Sequence, residues 1–134
     1  GKHKLWLEDK RFDGPVGITA DEHNNIYVGN YNNGRIFKIT PTKEITELAK
    51  SPDAAGYITY LHGNIYATGI NTNKIYRIPT SGGVAKELAG SANAGFNFPN
   101  GITSNKEGDK IFVSNYQNNK IIIIENFNQV DHQK

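Results

Sequence analysis

The chain has 134 residues, a formal net charge of +2 at pH 7, 37% hydrophobic residues, and neither cysteine nor methionine. That length suits one ordinary domain, and the scattered charge leaves no electrostatic footprint for nucleic acid or an anionic membrane. The longest apolar run, Ile121-Ile122-Ile123-Ile124, falls far short of the roughly 20 residues of a membrane helix.

Without cysteine there are no disulfides, thiolate metal sites or thiol nucleophiles. With no methionine even at position 1, the expectation is a processed or excerpted sequence, with a lean towards a secreted or periplasmic location.

In chain order, Lys4-Leu5-Trp6-Leu7-Glu8, just before Phe12-Asp13-Gly14-Pro15, occupies the place of an outer strand, as Glu44–Leu48 does before the second repeat. PVGIT (15–19), NIYVGNYNNGRIFKI (25–39) and EITELA (44–49) follow as short β-branched and aromatic runs parted by Asn and Gly. The order then returns as GYIT (56–59), NIYATGINTNKIYRI (64–78) and VAKELA (84–89). A third time it runs PNGIT (99–103) and KIFVSNYQNNKIIII (110–124), before a polar tail, NFNQVDHQK (126–134). Ile26 to Ile36, Ile65 to Ile75 and Ile111 to Ile121 are each ten residues apart, whereas Ile26 to Ile65 is 39 and Ile65 to Ile111 is 46. The difference lies in connections such as GSANAGFNF (90–98), as loop insertions between fixed strands require. No segment keeps apolar positions at helical spacing over three turns.

Three copies of a four-stranded antiparallel meander predict an all-β chain of β-propeller blades, half of a six-bladed propeller. The expected organisation is one half-propeller unit over 1–134. Within it, 4–8 is an outer strand, 14–49 blade 1, 55–89 blade 2, 98–127 the first three strands of blade 3, and 128–134 a polar tail. The strand count is twelve, cut one strand out of phase. Three blades do not close a ring, because rings hold about four to eight, so the expected partner is a second copy, a homodimer in which Leu5–Leu7 of each chain completes the third blade of the other. The rival expectation is the rest of a longer propeller chain.

The motifs Pro-x-Gly-Ile-Thr, Asn-Ile-Tyr-Val and Asn-Gly-Arg-Ile resemble repeats of six-bladed propellers of the senescence marker protein/gluconolactonase (regucalcin-like) family, and the related NHL repeats. The likeness covers about residues 12–127, with FNFPNGITSNKEGDKIFVSN (96–115) similar to the gluconolactonase and paraoxonase blade. Members that hydrolyse lactones hold a divalent cation, often calcium, through a Glu, an Asn and an Asp. The resemblance implies Asn100 as the Asn and Asp13 for the Glu, while the Asp falls on Val16. It also implies Ca2+ as the cofactor of an enzymatic alternative.

From the residues themselves, Asn30-Tyr31 and Asn115-Tyr116 recur after the second strand of their repeats, with Asn71 in the matching loop of the second repeat. They read either as a ligand-binding rim or as repeat symmetry, with Asn making the turn and Tyr packing on the next blade. Pro99-Asn100-Gly101 is a turn signal as well as a metal candidate. His23 and His62 fall in turns on the opposite face, and two histidines without a third partner make a weak zinc signal. No catalytic residue is assigned. The expected function is a binding or scaffold propeller, with a small-molecule or protein ligand at the Asn/Tyr rim. The alternative is a calcium-dependent gluconolactonase-like hydrolase acting on a lactone or ester.

Overall fold

The structure is a computed structural model that describes residues 1–125 and Phe127. The polar tail 128–134 therefore lies outside the described residues. Among the described residues, eleven strands and one 3-10 turn, Ser91–Asn93, form the elements that carry the fold. Blade 1 holds β1 (Pro15–Ala20), β2 (Ile26–Asn30), β3 (Arg35–Ile39) and β4 (Ile45–Lys50). Blade 2 holds β5 (Ala55–Leu61), β6 (Asn64–Gly69), β7 (Lys74–Pro79) and β8 (Lys86–Glu87). Blade 3 holds β9 (Pro99–Ser104), β10 (Lys110–Asn115) and β11 (Ile121–Glu125). Each sheet is a plain antiparallel meander in sequence order, of four, four and three strands.

The first two strands of each blade meet through turns that their sequences dictate. In blade 2 His62 and Gly63 take φ of 46° and 82°, the left-handed pair that a two-residue hairpin needs. In blade 1 the longer turn is tied by Asp21, which accepts from the His23 and Asn25 amides and from the Tyr27 hydroxyl, each at 2.9 Å. Asn105 does the same in blade 3, accepting from the amides of Gly108, Asp109 and Lys110. His23 is exposed beside Glu22, and the His62 ring lies against Gly108. Both histidines belong to the turn face.

The core sits between blades, because each sheet is apolar on both flanks. Tyr27 and Ile36 of blade 1 meet Ala55, Ile58, Ala67 and Tyr76 of blade 2. Tyr66, Ile75 and Leu88 of blade 2 meet Ile111 and Val113 of blade 3, with Phe96 and Phe127. Burying each such isoleucine stabilises by about 1.5–3 kcal/mol. The inner strands come closest: β5 packs against β1 on one side and β9 on the other. Gly29 permits this approach, since a Cβ there would stand 2.9 Å from the Ala55 carbonyl oxygen.

The two ends of the series are unlike the middle. On blade 1 Ile18 is 69% exposed, although Phe12 packs edge-on against Phe37 at 5.9 Å. On blade 3 Ile121 is 73% exposed and Ile123 is also open to solvent. Residues 4–8, expected as a strand, form no ladder here, and the Lys43 ammonium stands 5.9 Å from the Trp6 ring. β8 spans two residues where the repeat alignment suggested Val84–Leu88. Lys86 and Glu87 pair with β7, the Leu88 amide also donates to the Ile75 carbonyl at 2.8 Å, and the Leu88 side chain joins the core.

Candidate functional site

All the second-to-third strand turns and all the blade-to-blade connections lie at one end of the sheets. There the first two strands of each blade share an irregularity of register, at Pro15/Gly17, Ala55/Ile58 and Val113/Asn115. A bulge at the same place in every repeat re-aims one side chain beside the rim. It falls on Val16 in blade 1 and on Asn100-Gly101 in blade 3.

Asn30 and Asn115 end β2 and β10 and are both buried. The Asn30 Nδ2 donates to the Arg11 carbonyl at 2.9 Å, and the Asn115 Nδ2 donates to the Gly95 carbonyl at 3.1 Å. The Asn115 Oδ1 also accepts from the Asn97 amide at 3.0 Å, whereas the Asn30 Oδ1 is buried without a hydrogen-bond partner. Each asparagine thus ties its strand end to the connection that enters the blade. The following residues repeat this: the Tyr31 amide donates to Gly14 and the Tyr116 amide to Phe98, residues that share a left-handed φ of 65° and 52°.

Blade 2 solves the same problem with different chemistry. Gly69 stands where the other blades have asparagine, and a Cβ on it would meet the Thr72 hydroxyl at 2.6 Å and the Asp53 Oδ2 at 3.1 Å. The Asp53 carboxylate fills that space. It accepts from the Asn71 amide at 2.9 Å, the Asn71 Nδ2 at 3.0 Å, the Thr72 amide at 2.8 Å and the Thr72 hydroxyl at 3.0 Å. Burial works to raise the Asp53 carboxyl, but donors from Thr72, Ala54 and Asn71 outweigh it and hold it below the ordinary carboxylate value.

Asp13 and Asn32 form the matching bond in blade 1, Oδ1 to Nδ2 at 2.8 Å. Asp13 and Asn71, singled out as metal and ligand candidates, are therefore placed in equivalent braces. Asp53 was not singled out from sequence. Its signal was the missing asparagine at position 69, read with an acid five residues before Ile58-Thr59, as Asp13 stands five residues before Ile18-Thr19.

Asn100 is partly buried on β9 and Asp13 is exposed ahead of β1, with β5 packed between those strands. The structure does not bring the two together. A calcium ion takes six to eight oxygens, several of them charged. Here the carboxylate is committed to Asn32 and the amide is neutral, so the donor set fits the ion poorly. Among the described residues no three His, Cys, Asp or Glu side chains group to hold a metal.

Two aromatic side chains stay exposed at the rim. Tyr31 is 41% and Tyr116 68% exposed, the latter with its ring tilted against Phe98 at 5.3 Å. Behind Tyr31 lies a shallow polar hollow of about 240 Å³ bordered by Asn32, Lys50, Ser51 and Asp53.

This arrangement is that of β-propeller blades, and known proteins agree. Residues 12–39 match the family model of the NHL repeat. A streptogramin B lyase structure superposes with a TM-score of 0.60 at 27% identity, covering 89% of this chain and 42% of the lyase. A catalytically inactive virginiamycin B lyase from Staphylococcus aureus with quinupristin gives 0.61 at 25% identity, covering 89% and 44%. A chain of a nidogen/laminin complex gives 0.71 at 18% identity, covering 88% and 45%, and speaks for the fold alone. The chain spans less than half the length of each of these structures. No curated protein matches. The similarity to the gluconolactonase family rests on the sequence motifs alone.

Proposed function

We propose that the chain is a binding and scaffold propeller unit that contacts a protein partner through the Tyr31 and Tyr116 rim. One observation carries this reading. Four polar rim residues, Asn30, Asn115, Asp13 and Asp53, are engaged in braces, while two tyrosines project from that base. Exposed aromatics on a preorganised frame suit protein contact. The hollow beside Tyr31 is smaller than the roughly 300–1,000 Å³ of small-molecule pockets. In our reading three further blades, supplied by a second copy of the chain, complete a six-bladed ring.

Selection of a displayed random-peptide library on the purified chain tests the rim. Selected peptides should lose at least tenfold in affinity on Tyr116→Ala and Tyr31→Ala, and keep it on Val84→Ala, an exposed residue away from the rim. Equal loss on all three, or on none, sinks the reading. The alternative, calcium-dependent hydrolysis of a lactone or ester centred on Asn100, stands only if added calcium raises the melting temperature and Asn100→Ala abolishes the rise.

A further inference from the structure

We infer that the hollow behind Tyr31 is a carboxylate-binding notch, which takes one Asp or Glu side chain of the partner protein against Lys50 and Ser51. The inference rests on the proposed reading of the rim and names the chemistry of what that rim contacts.

The hollow lies where blades 1 and 2 join, between the β2–β3 turn and the connection from β4 to β5. Its base is fixed by close backbone contact. Gly34, with φ of 73°, presses the turn onto the connection, where a Cβ would stand 2.5 Å from the Asp53 carbonyl oxygen and 2.9 Å from that of Ser51. The Ser51 amide donates to the Gly34 carbonyl at 2.8 Å. At about 240 Å³ the hollow suits one side chain of a protein and not a whole small molecule.

Its walls hold side-chain donors that the chain does not use. Ser51 is 1% exposed, and its hydroxyl oxygen accepts a long contact from the Asp53 amide at 3.4 Å. The hydroxyl proton has no acceptor among the described residues, which is costly for a buried group. Asn33 spends its Oδ1 on the Arg35 amide at 3.0 Å and keeps its Nδ2 as a donor. Lys50 is exposed and enters no ion pair among the described residues, whereas Arg35, its partner across the ladder, holds Glu47. The acid in the wall is already satisfied: the Asp53 carboxylate accepts from the amides of Ala54, Asn71 and Thr72 and from the side chains of Asn71 and Thr72. Asp13, beyond Asn32, is likewise hydrogen-bonded. An incoming carboxylate would accept from Lys50 and Ser51 together, in charge-assisted bonds, with its aliphatic stem beside the Tyr31 ring.

The equivalent place between blades 2 and 3 shows that this set is no by-product of the repeat. Glu47-Leu48-Ala49-Lys50-Ser51 aligns with Glu87-Leu88-Ala89-Gly90-Ser91, and Tyr31 aligns with Ile70. There a glycine replaces the lysine, Ile70 is buried, and the Ser91 Oγ accepts from the Ile75 amide at 3.0 Å. The cause is the length of the outer strand. β8 stops at Glu87, and a serine hydroxyl takes the Ile75 amide. β4 runs on to Lys50 and pairs Ile36 with Ala49 along the backbone. The longer strand thus releases Ser51 and carries Lys50 to the rim.

The test uses the purified chain and peptides selected on it from a random library displayed through its C-terminus, so that no chain-end carboxylate is free. The selected peptides should share an Asp or Glu at one fixed position. Changing that acid to Asn or Gln, which alters nothing in the chain, should weaken binding at least tenfold. Lys50→Glu should do the same with an unchanged β circular-dichroism spectrum, and Ser51→Ala should cost at least threefold. Lys106→Glu, the same charge change on the turn face, should leave affinity within twofold. A second selection on Lys50→Glu should replace the acid with Lys or Arg. Peptides that need Tyr31 and Tyr116 but share no acid overturn the inference and leave the rim reading standing. So do peptides whose acid matters equally on the native chain and on Lys50→Glu. Peptides that need neither tyrosine, or a selection without binders, sink the rim reading and this inference with it.

Discussion

Blade 2 and blade 3 carry similar residues on the flank that faces onward and differ in what happens to them. Tyr66, Thr68 and Ile75 on blade 2 are buried by blade 3, whereas Phe112, Ser114 and Ile121 on blade 3 meet no further blade. Burial in this fold is thus a property of the neighbour and not of the strand. A sheet with two apolar flanks is a stable unit only in series.

Substitutions at matched positions break that comparison most directly. Ile75→Ala should cost about 2–5 kcal/mol in urea unfolding of the dilute chain. Ile121→Ala, at the equivalent site, should stay within about 0.5 kcal/mol. Equal effects would mean that the end blade is covered in some other way.

The braces come next. Asp53→Ala removes the acceptor of several rim hydrogen bonds in the middle blade and should cost about 2–3 kcal/mol. The pH dependence has a definite sign. The folded value of Asp53 lies below the ordinary carboxylate value, so the native state binds fewer protons there than the unfolded one. Its contribution is full above the unfolded value and is lost as pH falls through the folded value. Urea midpoints taken from about pH 6 down to about pH 3 should therefore fall less steeply for Asp53→Asn than for the native chain.

Glycine spacing gives a smaller contrast. A Cβ on Gly17 meets the Tyr57 Cα and the Ile58 amide nitrogen at 3.2 Å, whereas one on Gly101 meets only the Ser114 hydroxyl at 2.9 Å. Gly17→Ala should cost about 1–3 kcal/mol by forcing blades 1 and 2 apart. Gly101→Ala should cost less than about 0.5 kcal/mol in the lone chain, because a serine rotamer can move aside. Smallest of all, Asp13→Ala removes one exposed hydrogen bond and should cost about 0.5–1 kcal/mol, a fraction of the Asp53 effect. Thermal melts of the two aspartate variants side by side check the ranking.

The three meanders were legible because each repeat fixes the distance between Ile26 and Ile36, or Ile65 and Ile75, by strand length and turn chemistry alone. Short β-branched runs bounded by Asn and Gly carry their own geometry. The rim was legible in position and less so in use. Asn30 and Asn115 recur, but recurrence does not tell a ligand contact from a brace; only the carbonyls of Arg11 and Gly95 at their amides do. Asp53 was hidden because its role is relational. It substitutes for a side chain that Gly69 lacks, and two unlike residues sharing one task leave no common pattern in a single sequence. β8 was over-read for a similar reason. VAKELA (84–89) matches EITELA (44–49) in its place in the repeat, yet only Lys86 and Glu87 form the ladder while the Leu88 side chain joins the cluster with Phe96 and Ile111.

The in-order meanders also bear on how the chain comes apart. Ladder contacts join neighbours in sequence, and each blade touches at most the one before and the one after. Such a series opens from its ends, with an energy that sums unit by unit. Amide exchange should therefore form a gradient along the polypeptide: slowest at Tyr66 and Ile75 in the centre, faster in β1, and fastest in β11. In the two-chain ring that gradient should flatten, because no blade would then be terminal.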